Sequence, residues 1–534
     1  MHVTEYFLAV AGLLTQVSAT PQGSPQAPVA PAYTPHPERA NAVKEAFQRS
    51  WNGYRKFAFP NDTLKPVSDS SENDRNGWGA SAVDALSTAI IMENKDVVGQ
   101  ILDFVPTINF NVTKTEVSVF ETTIRYLGGL VSGEAGFRRC GRHDLLKGPL
   151  KDVAANQTAV DALLTQARRL ADNLKVAFDT PTGVPDNILV YDPKPRKNGS
   201  ETNGIATIGT LVLEWTRLSD KIGDKQYGDL SQKGENFLLK PNDEVFPGLL
   251  GTDVFISNGT FADRRGGWNG GTDSFYEYLI KMWVYDQSRF ALYKDRWIAA
   301  ADSSIKFLAS HPTSRPELTF LAAYNDVQLR FISSHHQPLN YALVACFDGG
   351  NFVLGGLVLK EQKYVDFGIK LTEACRETYK QTATAIGPEI FRWQDSKTHP
   401  NKTTNPSPPL NQTEFYRQAG FWIRDDGRGY VLRPEVIESY YYAYRATGDA
   451  KYQDWAWDAF LAINKTCSVG SGFSSITNVN DPNGGAFDDF QESFWFAEVL
   501  KYSYLIQATD SKVQVEVDNN KWVFNTEAHP FQVA

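Results

Sequence analysis

Acidic residues recur in this chain inside segments that otherwise read as buried helix. Glu121 lies in Val119-Phe120-Glu121-Thr122-Thr123-Ile124-Arg125. A carboxyl among apolar residues loses hydration when charged, so its pKa rises. It then keeps a proton at moderate pH, which a general acid requires. Arg125, one turn on, is placed to pair with Glu121 or to hold a substrate hydroxyl; a structural Glu–Arg helix pair is the plainer alternative. Asp273 and Glu277 stand four residues apart and share a helix face, with aromatics on both sides of Glu277. Asp273 also suits a helix N-cap. Glu435 follows Pro434, a residue suited to the first helical position. A carboxylate in a first turn stays ionised beside free N–H groups, as a general base must. Glu438 falls on nearly the same face, and surface capping is the alternative for this pair. Glu492 and Glu498 bracket Ser493-Phe494-Trp495-Phe496-Ala497.

Glycoside hydrolysis needs this kind of set: one carboxyl protonates the departing oxygen and another activates water. Clustered carboxylates also suit a hard, oxygen-liganded cation such as Ca²⁺. Zinc is disfavoured, since the 8 His form no HExxH and no Cys/His set has metal spacing. Neither a Gly-rich phosphate loop nor a GxSxG elbow occurs.

Helical periodicity dominates the elements that must hold these acids. Steps of three and four predict helices over 38–59, 80–92, 118–131, 159–177, 209–218, 274–285 and 293–308, then over 352–359, 364–378, 434–446, 451–463 and 491–507. Several are apolar almost all round yet begin with carboxylates, and each is followed by a more amphipathic one. All-round apolar helices are buried. Alternating buried and half-buried helices predict an all-α fold of two concentric layers, an α/α barrel. Short stretches at 427–432 and 521–524 read as hairpin arms within loops.

Composition sets the compartment. The net charge of -9 comes with no Lys/Arg stripe, which argues against nucleic acid and against an acidic membrane surface. Residues 1–19 resemble an export signal, 20–37 a Pro-rich extended linker, and 38–534 a single catalytic domain. No apolar run is long enough to span a bilayer. Eight sequons, at Asn61, Asn111, Asn156, Asn198, Asn258, Asn401, Asn411 and Asn464, fit secretion into the extracellular space. Cys140, Cys346, Cys375 and Cys467 allow one or two disulfides, with three pairings if all four are used.

The acidic segments, taken in order, resemble glycoside hydrolase family 47, the class I α-1,2-mannosidases, in their fungal secreted form. The likeness runs from about Glu38 to His529. It is carried by the run from Val119 to Leu130, Ala177–Pro185, Gly209–Trp215, the helix starting at Asp273, CFDGG from Cys346, Gly387–Glu389, LRPEVIES from Leu432 and FNTEAHP from Phe524. The resemblance implies an (αα)7 barrel with a C-terminal hairpin plugging one end. It implies an inverting exo-mannosidase that removes α-1,2-linked mannose from high-mannose N-glycans and acts as a monomer. Glu121 and Asp273 are the implied acids and Glu435 the implied base. Arg125, Glu277, Glu389, Arg433, Glu438, Phe494 and Glu498 are implied to line the sugar site. Ca²⁺ is implied on Thr526, through its carbonyl and hydroxyl, with Glu438 and Glu498 holding its waters. A Cys346–Cys375 disulfide is also implied.

Three positions depart from the resemblance. Leu343 replaces a common His, Ser87 a common Asp, and Gly271 stands where ER-type members carry Arg. The first two open an alternative, a weakly active or inactive glycan-binding paralogue. The third implies room for removing several mannoses.

Overall fold

A computed structural model describes residues 31–133, 145–334 and 345–533. The expected signal segment, Cys140 and Leu343 lie outside the described residues. Seven helical pairs make up the two layers expected. The outer helices are Pro37–Phe57, Lys95–Phe104, Gln157–Leu174, Gln226–Leu239, Ala291–Ser303, Gln362–Lys380 and Ala450–Thr466. The inner positions are filled by Ala80–Ile91, the run from Val119 to Gly133, Val212–Ile222, Asp273–Tyr285, Asp348–Leu359, Glu435–Thr447 and the run from Trp495 to Gln507. Burial follows the layers. Every residue of Ala80–Ile91 and of Leu500–Gln507 is buried. By contrast, Pro37–Phe57 buries one stripe that includes Val43, Phe47, Trp51 and Tyr54. That first helix packs against Leu500–Gln507, which closes the ring.

Two outer helices, Lys95–Phe104 and Gln226–Leu239, were not predicted. Gly99, and Gly228 with Gly234, weaken their intrinsic propensity. An Asn94 side chain caps the first by accepting from the Val97 N–H. Gly234 lets the second lie close to the Gly183 carbonyl. The described end of the expected linker is docked. Tyr33 donates to the Arg445 carbonyl at 2.6 Å, and the Arg445 guanidinium covers its ring at 3.7 Å.

Of the two expected hairpin arms, the first is a short 3-10 turn at Asp425–Gly427 followed by a lone bridge from Tyr430 to Ile476. The second is real. Trp522–Phe524 pairs antiparallel with Pro530–Gln532 in the register Phe524 to Pro530. Its tip enters the barrel, where the Asn525 amide donates to the Ile124 carbonyl at 2.9 Å. Gly128 permits this approach: a Cβ there would stand 2.7 Å from Asn525 Nδ2 and 3.0 Å from the His529 ring. Gly128→Ala should therefore displace the tip and destabilise the protein by ~1–3 kcal/mol. Denaturant unfolding, run beside an activity assay, checks both effects.

Cys346 and Cys375 form a disulfide that ties the start of Asp348–Leu359 to Gln362–Lys380. Closing that loop should stabilise by ~3–4 kcal/mol. Urea unfolding of the C346A/C375A variant measures the loss. Cys467 is buried and free. Seven sequon asparagines are exposed. Asn61 is half-buried, and the amide nitrogen a glycan would use donates to Ser71 Oγ at 2.8 Å.

Candidate functional site

The N-terminal ends of the inner helices carry the acids. Glu121 lies in the first turn of Val119–Thr122, with Ser118 Oγ accepting from its N–H at 3.2 Å. The chain then widens into a π turn at Thr123–Leu127, which carries Arg125. A second π turn at Trp495–Val499 carries Glu498. Both stretches were expected to be regular helix. An inserted residue re-aims the side chains around it, and such bulges gather at functional sites. Asp273 is the first helical residue and not the N-cap, which is Thr272. Its Oδ1 accepts from the Ser274 N–H at 2.7 Å, while Oδ2 is buried with no hydrogen-bond partner. Pro434, expected at the first helical position, is instead the N-cap, so Glu435 opens its helix.

Two adjoining cavities collect the predicted residues. Asp273, Glu277, Glu435, Glu438, Glu498 and Thr526 line one. Glu121, Arg125, Arg433, Glu435, Phe494, Glu498, Thr526 and Glu527 line the other. Glu435, Glu498 and Thr526 form the shared wall. Glu389 stands outside both. It reaches the site through Arg433, whose Nε donates to it at 3.1 Å.

Arg125 grips Glu121 from Nη2 at 2.8 Å, lies 3.6 Å from Asp84, and also contacts Glu527. Two guanidiniums lie near the Phe494 ring, Arg125 at 5.6 Å and Arg433 at 5.5 Å from its centroid. These are cation–π distances, and they fix the ring as one face of the cavity. On the opposite wall Lys281 contacts Glu277 and lies 3.9 Å from Glu438. Tyr502 donates to Glu438 at 3.1 Å.

The acids therefore differ in charge. Burial alone would push Glu121 up, but Arg125 and Arg75 outweigh it and hold the carboxyl below its usual value. This corrects the expectation that apolar surroundings keep Glu121 protonated. Asp273 is pushed up to about 7 by burial, with Glu277 and Glu435 adding to the rise against the Ser274 hydrogen bond. Burial also lifts Glu438 to about 8, with Glu277 and Glu435 adding to the rise and Lys281 opposing it. Glu498 is raised by burial and by Glu527, Glu438 and Glu435.

The hairpin tip supplies the remaining oxygens. The Thr526 N–H donates to Tyr278 Oη at 3.1 Å. Its side chain is half-buried, and its carbonyl and hydroxyl oxygens have no hydrogen-bond partner among the described residues. Among those residues, no group of three or more His, Cys, Asp or Glu converges as direct metal ligands.

Several site residues were not singled out in the sequence. Lys281 follows Glu277 by four positions, a signal that was available. Glu527 meets Arg125 only through the tip of the hairpin. Glu214 is pushed up to about 8 by burial and accepts from Tyr278 at 2.6 Å and from Asn525 at 2.7 Å. Ser87, one of the departures noted above, is buried and links Lys501, whose Nζ donates to it at 2.9 Å, to the His529 ring at 2.9 Å.

Residues 46–533 match glycosyl hydrolase family 47. The chain is 54% identical over 504 residues to a probable mannosyl-oligosaccharide alpha-1,2-mannosidase 1B of Aspergillus clavatus, covering 93% of each chain. It is 52% identical over 531 residues to a mannosyl-oligosaccharide alpha-1,2-mannosidase of Penicillium citrinum, covering 99% of this chain and 98% of that one. The solved alpha-1,2-mannosidase from Trichoderma reesei superposes with a TM-score of 0.88 at 54% identity, over 94% of this chain and 100% of that one. With its acids, disulfide and inserted hairpin arranged on such a barrel, the chain belongs to glycosyl hydrolase family 47.

Proposed function

We propose that this chain is a secreted, calcium-dependent, inverting exo-α-1,2-mannosidase that trims high-mannose N-glycans. One observation carries the reading. A carboxyl that holds its proton near neutrality, Asp273, lines the same cavity as Glu435, at the helix ends that face the hairpin tip. Asp273 donates its proton to the departing glycosidic oxygen. Glu435 removes a proton from the water that attacks the anomeric carbon from the opposite face, which inverts the configuration. Phe494 packs on the apolar face of the sugar ring. Glu121, held ionised, keeps Arg125 aimed at the cavity.

The donor set fits calcium. All its atoms are hard oxygens, two on Thr526 lack partners among the described residues, and burial together with neighbouring carboxylates raises Glu438 and Glu498. Thr526 would hold the ion directly, and Glu438 and Glu498 would hold its waters. When bound, the ion orients sugar hydroxyls and offsets the local negative charge. Among the described residues no helix is long and apolar enough to cross a membrane. That accords with secretion, as do the seven exposed sequons.

The test is a timed digest of Man9GlcNAc2, followed by product mass and by the anomeric signal of the released sugar. Successive loss of α-1,2-mannose, first seen as β-mannose, is the expected result. Folded, calcium-loaded protein that binds the glycan and releases nothing would sink the enzyme reading in favour of a glycan-binding paralogue.

A further inference from the structure

A second and larger cavity lies beside the acid site and has the opposite charge. Its volume is about 440 Å³, within the size range of small-ligand sites. Thr272 forms part of its wall, next in sequence to Asp273, so a glycan seated at the acids can extend into it. Gly271 shapes this turn at a φ of 94°, a conformation that favours glycine.

Three arginines line the cavity from two separate sheets. Arg265 and Arg330 lie on strands Arg265–Gly266 and Gln328–Arg330, joined by Ala323–Asn325. Arg392 ends Ile390–Arg392, the middle strand of another three-stranded sheet. Arg265 is already neutralised, at 3.4 Å from Asp263 and 3.8 Å from Asp253. Arg330 and Arg392 have no ion pair with a described residue. Arg392 is half-buried, and its Nε is buried without a hydrogen-bond partner. Asp426, the acid that acts on it, is held by Arg424 in a two-pronged pair. Burial and the neighbouring Arg424 and Arg330 act together to pull the Arg392 guanidinium below its usual value, against only Asp426. A buried donor without an acceptor is costly. Arg330 is exposed, so its charge faces the cavity and solvent rather than a partner.

An anion in the cavity would offset the positive charge that Arg330 and Arg392 bring to its wall. A planar carboxylate is satisfied by one two-pronged arginine. Guanidiniums converging from separate strands better suit a tetrahedral oxyanion, which presents oxygens in several directions. The acid cavity next door, crowded with carboxylates, would repel the same group. We propose that this cavity binds a phosphoryl group esterified to a mannose on an arm of the glycan whose terminal mannose occupies the acid site. The inference rests on the mannosidase reading above and extends it to substrate selection.

The experiment compares Man9GlcNAc2 with the same glycan carrying one phosphomonoester on the 6-hydroxyl of a non-terminal mannose, its arm isomers resolved by mass spectrometry. At low salt, kcat/KM for at least one phosphorylated isomer should exceed the neutral value by about fivefold or more. R330Q/R392Q should abolish that gain, bringing the ratio of kcat/KM for the phosphorylated and neutral glycans to about one, whatever its effect on neutral trimming. Matched unfolding curves for the variant show that its fold is retained. Millimolar inorganic phosphate should suppress the gain and spare neutral trimming. Equal rates on both glycans, or a gain that survives in the variant, overturns the proposal. Inorganic phosphate that binds while phosphorylated glycans gain nothing also overturns it, in favour of a free anion. Equilibrium binding of both glycans, fluorescently labelled, is measured alongside. If the neutral glycan is not trimmed, the mannosidase reading fails, and the binding ratio still decides whether the phosphoryl group is recognised.

Discussion

Asp273→Asn should lower kcat/KM on Man9GlcNAc2 by about 10³-fold, the scale on which a general acid acts. The carboxyl is the first residue of its helix, buried, and satisfied on one oxygen only. A helix N-terminus favours its charged form, yet burial with Glu277 and Glu435 close by pushes it up to about 7. The donor must be protonated, so kcat/KM should fall about tenfold per unit above pH 7, while protonation of the Glu435 base sets a separate acid limb. Asp273→Asn should abolish that alkaline limb. Glu121→Gln should also slow the enzyme, because it releases Arg125 from the pairing at 2.8 Å, but the limb should remain. pH profiles of kcat/KM for the three proteins decide the matter. A limb that persists in Asp273→Asn and vanishes in Glu121→Gln would assign the proton to Glu121, acting through water.

That ambiguity marks where the sequence ceased to be informative. The acids themselves were legible. Spacing placed Asp273 with Glu277 and Glu435 with Glu438, and each pair lines one cavity. The layers were legible too, because a helix apolar all round has no solvent side. The charge on Glu121 was not. It depends on Arg75, brought in from far upstream with its Nε 3.8 Å away, and on Arg125 being shared with Glu527 at the far end of the chain. The π turns at Thr123–Leu127 and Trp495–Val499 were also hidden. Side-chain periodicity over five residues does not separate a π turn from an α turn, and tertiary contacts decide. Gly271 was read as space for substrate, and its φ of 94° adds a backbone reason to be glycine that the sequence did not show.

Stripping calcium should reduce kcat/KM by about 10²-fold or more, the several kcal/mol a cation contributes to positioning and charge balance. The site is built with a surplus of negative charge. Glu277, Glu435, Glu438 and Glu498 surround one small cavity; Lys281 is bound to Glu277 and lies 3.9 Å from Glu438, and Arg433 lies 3.8 Å from Glu435. Burial together with mutual repulsion raises Glu438 and Glu498, so without a metal the fold itself is under electrostatic load. Calcium should therefore also stabilise the protein, by ~4 kcal/mol at a thousandfold excess over its dissociation constant. Thermal unfolding of chelated and reloaded protein reads this apart from activity. Magnesium should fail to restore either property, because it demands a small octahedral shell that a backbone carbonyl, a hydroxyl and water-linked carboxylates do not supply. Thr526→Val keeps the carbonyl and the side-chain shape and removes the hydroxyl. It should raise the calcium needed for half-maximal activity by about tenfold or more, with maximal activity largely recovered at high calcium. Full activity in protein shown by elemental analysis to be metal-free would sink the calcium reading. The acid pair would then have to orient the sugar with Arg125, Arg433 and Phe494 alone.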